Sequence, residues 1–513
     1  MQKTKDVIIL RNAHVIDPLH KIDRVKDIVI RDGKIGSLAD VNEAEAQVID
    51  LAGFYLSPGW VDIHVHAYGT LGFANPDSVG VYQGVTSFVE AGGPGIGTLD
   101  EFVALMDGLE TSLYVGPFIR PMGLLGLNFI EGNVRTLGEV PITKWIDFAQ
   151  EHRDILRYLK CNAMGDYGPG TLNVTKGLAQ ILKLPLYMHI GEFQNQKPEV
   201  LLAYEAFKIA EPGDMITHIY HGNLGRVVDQ KGKLYPVVRE AERRGVLFDL
   251  GFGGYNFSWD VAEQAYAEGL LPYTISSDLQ QFNVVRPAKS LANVLSVMMH
   301  LGMTLPQLIA CVTSNAAQAI SLNDRAGGLV EGFPADITIF KVEDGEFELS
   351  DCYSRTRTAR RQIVPVMTFK NGKRFDVDMA KGQDESNWFL QVAEDHVPRA
   401  ATTLNVQQRE FLGSLADVLS TRDWVLSSAE YLDVEKALEL QAAFHATLEK
   451  NGLSLRDGLN AVYDSFIDQK FTMQIGLFLM RLDRAFAVNR MKEIAEMKNF
   501  ASSKIQEVSH ASN

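Results

Sequence analysis

The chain has 513 residues, 46% hydrophobic and 22% charged, a balance that fits a folded protein with more than one core and excludes a disordered polymer. Its 64 acidic and 49 basic residues leave a formal net charge of −15, which excludes a duplex-binding face; the one short basic cluster, Arg355, Arg357, Arg360 and Arg361, reads as a solvated loop. Cys161, Cys311 and Cys352 are odd in number and far apart, which excludes a disulfide scaffold and points to a reducing, cytoplasmic location, and neither a secretory leader nor an apolar run of about eighteen residues is present to suggest export or a membrane span.

Residues 6–56 predict short strands with tight turns, including "KDIVIRDGKIGSLA", where "RDGK" at residues 31–34 signals a hairpin. The same texture returns at residues 335–375, in "ADITIFKVEDGEFEL" and "VPVMTFKNGKRF". A small β-sandwich domain built from both flanks, residues 1–56 and 331–380, is expected. Residues 57–330 alternate apolar strands ("TSFVEA", "YVGPFIRP", "LPLYMHIGE", "DMITHIYHG", "VLFDLGFGG", "YTISSDL") with helical patterns such as "TLDEFVALMDGLE" and "SWDVAEQAYAEGLL". The expected class is α/β, a (β/α)8 TIM-like barrel; a large doubly wound sheet is the other arrangement that such alternation permits. From residue 381 to 513 the period becomes helical, with caps expected at Asp433 and Ser454 and a frayed tail, which predicts an all-helical C-terminal domain of about five helices. The apolar stripe of "QIGLFLMRL" needs a partner surface: its own domain, the barrel, or a second copy in a homo-oligomer.

In "PGWVDIHVHAYG", strand alternation places Asp62, His64 and His66 on one face and Val61, Ile63 and Val65 on the other. In a barrel the polar set points inward at the C-terminal mouth and offers two nitrogen ligands to one ion; an ordinary strand pair is the alternative. His189 ends "LYMHIGE", His218 and His221 end "ITHIYHG", and Asp278 ends "TISSDL". Any one of these alone reads as a satisfied core or loop group. Successive strand ends carrying imidazole and carboxylate suit Zn²⁺, and also Mn²⁺, Fe²⁺ or Ni²⁺. Lys160, in "RYLKCNAMG", ends another apolar strand. A buried ammonium is disfavoured, and its neutral amine reacts with carbon dioxide to give a carbamate able to bridge two metals; a snorkelling lysine, or one paired with Asp166, is the simpler reading of spacing alone. Cys161 is expected to face the helix layer, and the seven remaining histidines to be structural or solvated.

His64, His66, Lys160, His189, His218 and Asp278, flanked by a split β-domain, resemble the amidohydrolase superfamily in its dihydroorotase and hydantoinase branch. The stretches "THIYHG", "GVLFDLGFGGYNFSWDVAEQAYAEGLLPYTISSDL" and "VTSNAAQAISL" resemble a smaller subgroup of metal-dependent deacetylases acting on acetylated hydroxy or amino acids. The likeness spans about residues 5–375 and leaves the helical region unmatched. It implies two divalent ions, zinc foremost: His64, His66 and Asp278 on the more buried ion, His189 and His218 on the more exposed one, and carboxylated Lys160 between them. The subgroup usually has Asn where this chain has His221, so His218 and His221 compete for one ligand role; His218 ends the apolar strand and keeps the family spacing. The implied reaction is hydrolysis of an amide or ester by a metal-bridging hydroxide with Asp278 as general base. A small substrate carrying a carboxylate is expected, clamped by Arg286 or Arg120, with His221 facing it and the backbone N–H groups of Gly251, Gly253 and Gly254 near it. A cyclic amidase of the hydantoinase or dihydroorotase type, and a non-catalytic barrel that uses the helical domain for assembly, are the alternatives. Neither nucleic acid nor membrane is expected as a partner.

Overall fold

Two tight turns set the hairpins of the flanks. Asp32 (φ 51°) and Gly33 (φ 75°) join the Ile28–Arg31 and Lys34–Gly36 strands, and Asn371 (φ 49°) and Gly372 (φ 76°) join Thr356–Lys370 to Lys373–Asp376. Left-handed backbone at both central positions is the turn whose twist matches a hairpin, which is why Asp-Gly and Asn-Gly were readable. The structure, a computed structural model, describes residues 7–39, 41–68, 75–106, 108–124, 134–192, 201–281, 283–384, 392–424, 434–467, 475–480 and 482–497. The expected cap at Asp433 and the tail from residue 498 lie outside the described residues.

The flanking strands form two sheets. One is ordered Lys34–Gly36, Ile28–Arg31, Val7–Arg11, Gln47–Asp50; the other Lys373–Asp376, Thr356–Lys370, Ile337–Ser350, Tyr55–Pro58, His14–Asp17, Ile22–Val25. Leu10, Val15, Ile28 and Ile30 pack with Leu56, Ile337, Ile339 and Phe369, so both ends of the chain share one core.

Between the flanks the strands run parallel around a closed barrel. Trp60–Val65, Val85–Glu90 and Ser112–Val115 pair in turn, as do Leu159–Asn162, Leu186–His189, Met215–Thr217 and Leu247–Asp249. Parallel bridges from Val115 to Leu156 and from Phe118 to Lys160 join the two groups. Residues 274–279 supply the eighth strand position, bridging Asp249 at Thr274 and returning to Val65 at Leu279. Helices such as Leu99–Leu105, Gly168–Leu182, Trp259–Ala267 and Leu291–Leu301 follow the strands. Leu159, Cys161, Leu186, Met188 and Ile216 face these helices, while Tyr158, Tyr187 and Met215 cluster on the opposite face. Val61 and Ile63 join the inner cluster, contrary to the simple alternation read from "WVDIHVH". A register irregularity between Asp62 and Val65 separates these positions and lets His64 turn inward as well.

The C-terminal region is helical, with Val406–Ser420, Val434–Lys450, Leu455–Phe466, Ile475–Met480 and Arg484–Ala495. Ser454 caps its helix as expected, accepting from Asp457 N–H at 3.1 Å; Asn405 and Asp483 do the same elsewhere, each such cap being worth about 1 kcal/mol. Asp483 divides what the sequence showed as one long period. The "QIGLFLMRL" stripe is spent inside this region's own core, with Ile475, Phe478, Leu479 and Leu482 buried beside Phe411, Leu415 and Phe444.

This core also meets the barrel. Ala104, Leu105 and Met122 pack against it, and buried Glu101 accepts from Ile475 N–H at 2.9 Å and from Gln441 Nε2 at 3.3 Å. Burial pushes the Glu101 carboxyl up to about 8. A carboxyl raised on folding favours the folded state at low pH, and that contribution is lost as pH rises from the ordinary carboxylate range through 8. Glu101→Gln, which keeps an oxygen for Ile475, should therefore melt higher than wild type at about pH 9, and the difference should shrink at about pH 5. A difference independent of pH in a thermal-melt series would refute this.

Candidate metal centre

The strand ends meet at the barrel mouth. Lys160 Nζ lies 2.7 Å from His64 Nε2. Asp278 Oδ1 lies 3.3 Å from His64 Nε2 and 3.2 Å from His66 Nε2. The His218 ring sits 5.2 Å from that of His64 and 4.3 Å from that of His189, centroid to centroid. His64, His218 and Asp278, all buried, each present one ligand atom within 4.8 Å of the other two. His218 (φ 72°) and Asp278 (φ 47°) hold left-handed backbone, a strain that clusters at functional sites.

The electrostatics favour cation binding. Burial, with Lys160 nearby, pushes His64 well below its ordinary value; burial and His189 do the same to His218, and burial and Lys160 bring His189 to about 4. Burial also opposes charge on His66, but its contacts with Asp278 and Glu90 outweigh that and raise it. Burial brings Lys160 down to about 8 against the pull of Asp278 and Glu90. The neutral imidazoles of His64, His189 and His218 keep the lone pairs that a metal needs, and each of these three faces a group that orients its far nitrogen. His218 Nδ1–H donates to Gly251 O at 2.6 Å, His189 Nε2 lies 3.2 Å from Gly191 O, His66 Nδ1 is 3.5 Å from Glu90 Oε1, and His64 Nδ1 is 2.9 Å from the Tyr187 hydroxyl. Imidazoles, a carboxylate and a buried amine thus form a donor set that fits a divalent cation of the zinc type.

Of the residues expected near a substrate, Arg120 is buried on the loop past Phe118, with its Nε–H on Gly123 O at 2.6 Å. His221 is buried near His189 but outside the group of three, and burial, then His189, pushes it down to about 3. Arg286 is exposed on the loop after the eighth strand position. Gly253 N–H donates to Ser277 O at 3.0 Å, so it is not free for a substrate; its role is steric, because a Cβ there would run into Asp278 Oδ2. Gly254 follows in the same turn. Cys161 lies in the helix-layer core, and burial pushes its thiol up to about 12.

Several groups near the site have partners that the sequence did not reveal. Asp62 accepts from Ser277 N–H at 3.1 Å, from the Ser277 hydroxyl and from His64 N–H at 3.3 Å, tying the first strand to the segment that carries Asp278. Burial raises its carboxyl to about 7. Glu90 receives the N–H groups of Ala67, Tyr68 and Gly93 and fixes the turn after His66. Gln280 Nε2 donates to Asp278 Oδ1 at 2.8 Å and Asn256 Nδ2 to Oδ2 at 3.3 Å. Of these, Asp62 was read from sequence only as a member of the polar face, and strand-end Glu90 in "TSFVEA" carried a signal that was not taken up. The tip of the long flank hairpin also arrives here: Tyr353 OH donates to Asn223 Oδ1 at 2.8 Å and accepts from Gly222 N–H at 3.0 Å, beside the loop after His218.

Comparison with known proteins agrees with this geometry. A family model described as a deacetylase-like composite domain matches residues 329–376. Deacetylase Atu3266 of Agrobacterium fabrum is 31% identical over 353 residues, covering 66% of this chain and 84% of that protein. A deacetylase of Enterococcus faecalis is 30% identical over 361 residues, covering 68% of this chain and 95% of its own length. Solved structures of an adenine deaminase (28% identity, TM-score 0.64) and a dihydroorotase (27%, 0.63) each superpose on 72% of this chain and 99% of their own. With a closed α/β barrel, a cluster of metal-type donors at its mouth and deacetylase relatives along most of their length, the chain belongs to the amidohydrolase superfamily, in its deacetylase subgroup, and is a metal-dependent hydrolase.

Proposed function

We propose that the protein removes an acetyl group from an O-acetyl hydroxy acid or N-acetyl amino acid, using two zinc ions held by His64, His66, His189, His218, Asp278 and carboxylated Lys160. One observation carries the reading: Lys160 and Asp278 both approach His64 Nε2, at 2.7 and 3.3 Å, close to the neutral imidazoles of His189 and His218. Ions bound there would supply an acidified water and a Lewis acid for the scissile carbonyl. Lys160, lowered to about 8, keeps a neutral amine fraction; its nitrogen bonds to the carbon of carbon dioxide and releases a proton, leaving an anionic two-oxygen ligand. Asp278, steadied by Gln280 and Asn256, takes the proton of the attacking water and returns it to the departing alkoxide or amine, so that acetate and the free hydroxy or amino acid leave and the carboxylate is restored.

Arg120 is our choice for the group that pairs with a substrate carboxylate, because its buried guanidinium lies on the loop beside Lys160, whereas Arg286 is exposed. His221 and the turn at Gly253 and Gly254 would shape the pocket wall. Residues 57–330 would form the catalytic unit, residues 1–56 and 331–380 its β-sandwich support, and residues 381–513 the added helical domain. Three free cysteines agree with a cytoplasmic protein, and among the described residues no helix is long and apolar enough to cross a membrane. A non-catalytic scaffold is set aside by the deacetylase relatives.

The test is acetate release by zinc-reconstituted protein from a panel of O-acetyl hydroxy acids and N-acetyl amino acids. Turnover is expected where the substrate carries a free carboxylate and should fall when that carboxylate is esterified. Silence across the panel with opening of a hydantoin or dihydropyrimidine ring would overturn this assignment in favour of a cyclic amidase.

A further inference from the structure

We infer that Tyr187 and Asp249 form a relay that sets the tautomer of His64 and raises the affinity of the metal centre. This rests on the metal-dependent reading above. Tyr187 lies two residues before His189 on the same strand, so it points to the same inner face one step deeper in the barrel. Its hydroxyl is 2.7 Å from Asp249 Oδ2 and 2.9 Å from His64 Nδ1. A phenol has one proton. The carboxylate is the stronger acceptor, so the hydroxyl donates to Asp249 and accepts from His64 Nδ1–H. His64 is thereby fixed with its Nε2 lone pair toward Lys160 and Asp278, the direction a metal ligand requires.

Asp249 is built for more than holding strands together. It is fully buried and accepts four hydroxyls: Tyr187 at 2.7 Å, Thr217 at 2.7 Å and Ser276 at 2.6 Å on Oδ2, and Thr274 at 2.8 Å on Oδ1. Among the described residues no Lys, Arg or His makes an ion pair with it. A buried carboxylate without a cation is costly, although an amide, with one acceptor oxygen, could not receive the Thr274 hydroxyl as well as the three on Oδ2. The positive charge that offsets it is the one bound above it, once Lys160 has become an anion. The negative charge reaches His64 through the phenol and makes Nε2 a better ligand.

Zinc affinity measured by competition with a chromophoric chelator tests the relay, with the absorption spectrum of the cobalt-substituted protein as a second readout. Tyr187→Phe keeps the ring and removes only the hydroxyl. It should lower zinc affinity about 10- to 100-fold and shift the cobalt spectrum, and the metal-free protein should keep a cooperative melt, lowered only by the two hydrogen bonds it loses. Asp249→Asn should do the same, and the double variant should lose no more than the worse single one, since both break one chain. Thr274→Val, which removes a hydroxyl that does not face His64, should leave zinc affinity unchanged even if the melting temperature drops. Wild-type zinc affinity in Tyr187→Phe would overturn the relay alone. A wild-type protein that takes up no zinc would overturn the metal-dependent reading and the relay together.

Discussion

Replacing Lys160 with alanine should lower kcat/KM by about a thousandfold or more and reduce zinc from two equivalents per chain to one or none. The magnitude follows from what a carbamate at Lys160 would do. Losing such an anion would remove the link between two ion sites and with it several kcal/mol of Lewis-acid and charge stabilisation, and about 4 kcal/mol corresponds to about 10³ in rate. The variant should fold. The buried amine is lowered to about 8, so it is a liability to the metal-free protein, and its removal leaves His64 Nε2 facing Asp278. Formate or propionate at high concentration should restore part of the activity, since their oxygens can occupy the space of the lost carbamate. The pH dependence has a definite sign. Carboxylation needs the neutral amine, so zinc uptake by metal-free protein should speed up as pH rises through about 8, and added bicarbonate should speed it further. Elemental analysis and steady-state kinetics on the same samples decide it; full zinc occupancy with unimpaired turnover in Lys160→Ala would remove the bridging role.

The candidate donors could be picked out in the sequence because each closes a short apolar run, and in a barrel such ends share one rim. His189 and Asn162 are register partners on neighbouring strands, so periodicity alone carried Lys160 and His189 to the same face. The turns at Asp32–Gly33 and Asn371–Gly372 were legible for a local reason, the left-handed backbone that Asp, Asn and Gly tolerate. Three kinds of feature were not. Val61 and Ile63 were assigned to the wrong face because the first strand's register against Val85–Glu90 shifts between Asp62 and Val65, an irregularity that simple alternation does not carry. Tyr187 is an ordinary member of an apolar run, and Asp249 closes the strand of "VLFD" as the donors close theirs but was not taken up; only the fold brings Tyr187 to His64 and Asp249 to Tyr187. The break at Asp483 hides in a helical period that runs straight through it, and the seam at Glu101 joins residues 374 apart. Local chemistry is written in the chain; the hydrogen bonds that aim it are long-range and are not.

Asp278→Asn should retain the fold and most of the zinc while lowering kcat by about 10³- to 10⁴-fold on an alkyl acetate. Asparagine is the informative replacement because it matches the carboxylate in shape and tolerates the left-handed backbone that position 278 holds at φ 47°. Its oxygen can still accept from Gln280, as Asp278 Oδ1 does at 2.8 Å, so the loop is not released. What it cannot do is hold a proton between the attacking water and the leaving group. Asp278→Ala makes a useful contrast: it adds backbone strain and loses the contacts with Gln280 and Asn256, so stability should fall as well as rate. The leaving group separates the two halves of the proton's path. A p-nitrophenolate departs without protonation, so an aryl acetate should suffer less from Asp278→Asn than an alkyl acetate or an N-acetyl amide, and the difference measures the donation step. If both substrates fall equally, Asp278 serves only the attack. If neither falls while zinc stays bound, proton transfer belongs to another group, and Asp278 is a ligand alone.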